Sequence, residues 1–161
     1  MQKSEGIFSI TIPDDTGSLR TIVLPLGGKI SLVLKYIALL YVKRCDAKNN
    51  ASLGTDLFHG ATFGSIPIFP HGIYGIIISP DAIIGKRCQI YHHVTIGNDD
   101  RDKLNVPIIG DNVTIYPGAK VLGKIRIGNN VKIGANAVVT EDVPDGAFVL
   151  APRPIIKIKN N

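Results

Sequence analysis

Four histidines, at positions 59, 71, 92 and 93, are the side chains of this sequence best suited to moving protons near neutral pH. His71 stands in the stretch FPHGIYG, residues 69–75, and is followed by Gly72, the residue type that lets a backbone turn sharply. An imidazole there can act as a general base or simply bond the backbone of a turn. His92 and His93 are adjacent, so on a strand they point to opposite sides and at most one faces a cleft. The functional reading of the pair is an acceptor contact or a second proton shuttle; the other reading is one surface imidazole and one structural contact. His59 reads as an exposed corner residue. His71 plus an adjacent pair is not the separated three-ligand pattern of a zinc centre, so no metal is expected. Cys45 and Cys88 suit neither a disulfide framework nor a metal motif, and Cys88 is expected as a buried free thiol.

The element that must position these groups is a repeat. Ile84, Ile90 and Ile96 are spaced by six, as are Ile109, Ile115, Val121, Ile127, Ile133 and Val139. Four residues after most of these anchors comes a small or branched apolar residue: Cys88, Val94, Val113, Ala119, Ile125, Val131, Ala137 and Val143. A period of six fits neither a strand nor an α-helix; it predicts a mainly β fold, a parallel β-helix whose stacked coils bury continuous aliphatic ladders. The beat continues upstream at Leu57, Phe63 and Phe69, then slips: from Phe69 to Ile78 the step is nine. His71 lies inside that slip. From Ile96 to Ile109 the step is thirteen, and the polar run NDDRDKLNVP predicts a projecting loop. Regular coils are occupied by packing, so breaks in a solenoid are where function is expected.

Residues 1–28 read as short strands joined by turns and residues 29–45 as a helix, with Ile30, Val33, Leu34, Ile37, Leu40 and Tyr41 at helical spacing. This divides the chain into an N-terminal packing or oligomer element, 1–53, and a β-helix domain with a C-terminal tail, 54–161. Hydrophobic residues make up 45% and aromatics 6%, so the core is built from Ile, Val, Leu and Ala. The formal charge of +5 favours anionic partners. The basic residues are scattered with few aromatics among them, which argues against a nucleic-acid surface. ISLVLKYIALLYV is too short to span a bilayer and the N-terminus lacks a signal-peptide pattern, so the cytoplasm is the expected compartment.

The stretches FPHGIYGIIISPDA, IIGKRCQIYHHVTIG and IIGDNVTIYPGAKVLGKIRIGNNVKIGANAVVTEDVPDG resemble the hexapeptide-repeat acyltransferases, in their serine acetyltransferase-like branch. Within it, the pattern looks most like small acetyltransferases found with surface-polysaccharide synthesis. The resemblance covers about residues 54–157 and implies a left-handed parallel β-helix. It also implies a homotrimer with acetyl-CoA in the groove between neighbouring β-helices, and His71 as general base. Asp56, fifteen residues earlier, takes the position of the carboxylate that orients this base. Gly97 and Asn98 would lie near the thioester, and Pro117, Gly118 and Ala135 along the pantetheine groove. Arg153, Lys157 and Lys159 either reach the CoA phosphates or form a solvated tail. Two departures bear on the acceptor. Pro70 stands where serine acetyltransferases carry an Asp before the base, and Asn105 and Val106 stand where they carry an Arg-His pair. An amide and an aliphatic side chain cannot replace a guanidinium fork on a carboxylate. The expectation is therefore O-acetylation of a sugar hydroxyl. The alternatives are serine O-acetylation, amino-sugar N-acetylation, or a β-helix scaffold without catalysis.

Overall fold

The computed structural model describes residues 7–13, 19–25, 32–55 and 60–157. Strands β1 (Ile7–Pro13) and β2 (Leu19–Pro25) pair antiparallel, with Ile10 opposite Ile22. Helix α1 (Leu32–Lys48) follows. Its expected start at residues 29–31 lies outside the described residues, and its end runs three residues past the expected Cys45. Asn50, at φ +48, stops the helix, and the Ala51 N–H closes back onto the Asp46 carbonyl at 2.8 Å.

Thirteen short strands come next. They are β3 (Ser52–Leu53), β4 (Thr62–Phe63), β5 (Ile77–Ile78), β6 (Ile83–Ile84), β7 (Gln89–Ile90) and β8 (Thr95–Gly97). After the 98–106 loop come β9 (Ile108–Ile109), β10 (Thr114–Ile115), β11 (Lys120–Leu122), β12 (Arg126–Ile127), β13 (Lys132–Ile133), β14 (Val138–Val139) and β15 (Phe148–Val149). They stack in parallel on three faces: β3-β5-β8-β11-β14, β4-β6-β9-β12 and β7-β10-β13-β15. This is the parallel β-helix expected from the six-residue beat. The anchors from Ile78 to Val139 and their smaller partners are buried, and Ile90, Ile115 and Ile133 form one column with no exposed surface. Burying each such side chain contributes roughly 1.5–3 kcal/mol, which is why a two-residue strand per face suffices.

The open N-terminal end of this stack is covered by the close of α1. The Gly75 N–H donates to the Asn49 carbonyl and the Ser52 N–H to the Ile76 carbonyl, at 3.0 and 2.8 Å. Among the helix side chains whose burial is described, those from Tyr36 onward, Val42 and Asp46 are buried. Ile37, Leu40 and Tyr41, expected on its packing stripe, are instead about half exposed in the single chain. The helix has apolar residues on more than one side, and docking of its last turns on the coil decides which side goes in. Among the described residues no helix is long and apolar enough to cross a membrane.

Candidate active site

The slip in the sequence has a direct counterpart in register. Ile68 pairs with Gln89, a coil of 21 residues, whereas Ile77 pairs with Thr95, a coil of 18. Three residues are therefore inserted at the corner between them. His71 stands in this bulge, which the Gly72 N–H closes onto the Phe69 carbonyl at 3.0 Å with Gly72 at φ +69.

The bulge carries the His71 ring onto the next coil. Its Nδ1 lies 2.9 Å from Nδ1 of His92. Its ring meets that of Tyr91 edge to face, with centroids 5.1 Å apart and planes at 88°. Tyr91 in turn stacks on Tyr116 of the following coil at 5.3 Å. Both tyrosines directly follow paired inward anchors, Ile90 and Ile115, so they leave the coil at the same place. His71 itself is exposed.

His92 and His93 occupy a turn and not a strand, so the alternation expected of them does not apply. His93 has φ +59 and belongs to a column of left-handed corners with Gly75 (φ +65), Gly118 (φ +73) and Asn136 (φ +58). Its N–H donates to the Tyr74 carbonyl at 3.0 Å, while the Gly118 N–H donates to the His92 carbonyl at 3.1 Å. Gly75 is required in two ways: the left-handed backbone disfavours a side chain, and a Cβ there would run into the His93 ring.

Beyond this corner lies an open groove of about 670 Å³, lined by both histidines, Pro117, Gly118, Lys120, Ala135, Asn136 and Val138. Five residues singled out in the sequence, His92, His93, Pro117, Gly118 and Ala135, thus share one groove, and His71 joins it through His92. Lys120 was not foreseen. Its Nζ donates to the His93 and Gly118 carbonyls, at 2.8 and 2.9 Å, tying two coils together and placing a positive charge in the groove wall. A smaller cavity of about 260 Å³ beside residues 138–149 contains no histidine.

Other expected residues lie elsewhere. Gly97 ends β8, where its carbonyl accepts from the Gly123 N–H at 3.0 Å, and Asn98 opens the loop; neither lines the groove. In the loop, Asn105 donates to Asp99 at 3.3 Å. Desolvation works to raise the Asp99 carboxyl, but the Asn105 amide, the Arg101 N–H and the Arg101 charge together hold it below the usual carboxylate range. Arg153 and Lys157 are exposed. Asp56, His59 and Lys159 lie outside the described residues. Cys88 is fully buried with its thiol 3.3 Å from the Gly110 carbonyl, and burial pushes that thiol up. Among the described residues no group of three His, Cys, Asp or Glu side chains is placed to hold a metal ion.

Comparison with known proteins agrees with the fold. Residues 107–141 match the family model described as bacterial transferase hexapeptide (six repeats). The serine acetyltransferase of Staphylococcus aureus strain Mu50 is 42% identical over 106 residues, covering 65% of this chain and 49% of that protein. The serine acetyltransferase of Synechococcus elongatus is 41% identical over 98 residues, covering 60% and 40%. Among solved structures, serine acetyltransferase isoform 3 of Entamoeba histolytica, in complex with cysteine, superposes with a TM-score of 0.64 at 31% identity. The match covers 78% of this chain and 44% of that one. The Neisseria gonorrhoeae serine acetyltransferase gives 0.62 at 30%, covering 79% and 48%. The chain spans about half or less of the length of the curated relatives it matches. Residues 107–141 thus carry the bacterial transferase hexapeptide repeat, and the chain is similar in sequence and in fold to serine acetyltransferases over part of their length.

Proposed function

We propose that this chain is an acetyl-CoA-dependent O-acetyltransferase in which His71 is the general base. The observation that carries this reading is the shared corner: an exposed imidazole on a three-residue bulge contacts one wall of the groove that holds Pro117, Gly118 and Ala135. In this reading the His71 imidazole takes the proton of the acceptor hydroxyl as its oxygen attacks the thioester carbon. The tetrahedral intermediate collapses, the carbon–sulfur bond breaks, and the departing thiolate takes the proton from the imidazolium. A positioned base of this kind contributes on the order of 10²–10⁴-fold. The wall residues Pro117, Gly118 and Ala135 let the pantetheine arm approach the backbone. Gly97 and Asn98 are assigned near the thioester on the resemblance alone. Three copies assemble, and a neighbouring copy closes the groove over Val138, an apolar side chain 63% exposed in the single chain.

The relatives favour serine as the acceptor, since those reported above are named for it. A second reading, a sugar hydroxyl, is favoured by particular residues. Pro70 precedes the base, and Asn105, at the position of an expected cation, is bonded to Asp99. Neither Asn105 nor Val106 supplies a charge for an amino acid carboxylate. The experiment is thiol release from acetyl-CoA across serine, nucleotide sugars and oligosaccharides. Turnover with serine supports the first acceptor and turnover with a glycan the second. Silence with every acceptor would overturn the enzyme reading in favour of a scaffold.

A further inference from the structure

We propose that His92 is the positioning residue for His71, holding it in the tautomer that leaves Nε2 free to accept a proton. The inference rests on the reading of His71 as the base. It starts from a contact between two ring nitrogens, Nδ1 to Nδ1 at 2.9 Å. A contact that short holds one proton: two would collide and none would set lone pair against lone pair. If His92 donates, neutral His71 carries its hydrogen on Nε2 and cannot act as a base there. If His71 donates, its Nε2 holds the lone pair, and neutral His92 carries its own hydrogen on Nε2. Only the second arrangement gives a working base.

The surroundings suit that assignment. His71 is exposed on the bulge, while His92 is half-buried on the regular corner, where its carbonyl accepts from Gly118. The better anchored ring therefore orients the freer one. Tyr91, edge to face with His71, limits rotation of the same ring. When Nε2 gains the acceptor's proton, the Nδ1–H to Nδ1 bond becomes charge-assisted, so the contact is stronger in the charged state than before it. His92 then does for the imidazolium what an orienting carboxylate does in a triad, with a neutral acceptor.

The test reads the tautomer directly, by long-range 1H–15N correlation of histidine-labelled protein at a pH where both rings are neutral. The unmodified protein should show His71 with its hydrogen on Nδ1. His92→Leu, or His92→Phe should the first variant misfold, should shift His71 toward the Nε2–H form and lower kcat by roughly 10- to 10²-fold. His92→Asn places an oxygen acceptor close to the lost Nδ1 and should restore both the tautomer and most of kcat. A His71 hydrogen on Nε2 in the unmodified protein would overturn the proposal. So would an Nδ1–H form that persists in His92→Leu. The tautomer is read without turnover, so a wrong partner shows in the spectrum. A wrong base shows instead as full turnover in His71→Ala.

Discussion

Gly75→Ala probes the geometry that stacks the bulge on the histidine corner. The backbone there has φ +65, and a Cβ would overlap the His93 ring, with Cε1 at 2.9 Å and Cγ at 3.1 Å as well as the closer Nδ1. Two costs follow. A left-handed conformation with a side chain costs about 1–2 kcal/mol. Driving the His93 ring off its rotamer adds about 0.5–1.5 kcal/mol. The ring cannot move freely, because it packs edge to face against Tyr74 at 5.2 Å and its carbonyl holds the Lys120 ammonium. A double-mutant cycle separates the two costs. In the His93→Ala background the second should vanish and only the backbone cost remain. Denaturant midpoints of the four proteins, at one fixed concentration, measure this. Gly75→Ala should destabilise by about 1.5–3.5 kcal/mol alone, with a coupling to His93 of about 1 kcal/mol. Equal effects of Gly75→Ala in both backgrounds would refute the stacking of His93 on Gly75.

Three further outcomes are expected. Ile115→Ala removes the middle of the Ile90–Ile115–Ile133 column and should cost about 2–5 kcal/mol, read from the same midpoints. Asp46 is 4% exposed, with the Lys43 ammonium 4.0 Å from one of its carboxylate oxygens. Desolvation raises its carboxyl, against smaller opposing pulls from Lys43 and the Leu53 N–H. Its folded value thus lies above the unfolded one, so its contribution to stability is full below about pH 4 and is lost as pH rises through the folded value. Asp46→Asn should therefore stabilise the protein at pH 7, by on the order of 1 kcal/mol, and gain nothing near pH 4, as thermal melts at the two pH values would show. Lys120→Met removes both donor contacts to the groove corner and should raise KM for acetyl-CoA more than it lowers kcat.

The β-helix was legible because its inward positions admit little but aliphatic side chains, so packing writes a period of six into the chain. Both breaks were legible for the same reason: a coil of 21 residues at His71 and a coil of 25 between Gln89 and Thr114 interrupt that period. The corner at His93 was missed, although Gly75, Gly118 and Asn136 mark its column with residue types that accept a left-handed backbone. Reading those three against His93 would have placed the pair in a turn. The role of Lys120 left no such trace, because its acceptors are backbone carbonyls and every residue has one. The direction faced by α1 was hidden too. Ile37 and Leu40 satisfy helical spacing as well as Val42 does, and only contact with the coil end separates them.

The central claim is that His71 takes the acceptor's proton. The most direct measurement compares thiol release from acetyl-CoA by the unmodified protein and by His71→Ala, with a turned-over acceptor and the assembly state checked for both. The account predicts a fall in kcat of at least about 10²-fold with the assembly preserved. Unchanged turnover in a correctly assembled His71→Ala protein would contradict it.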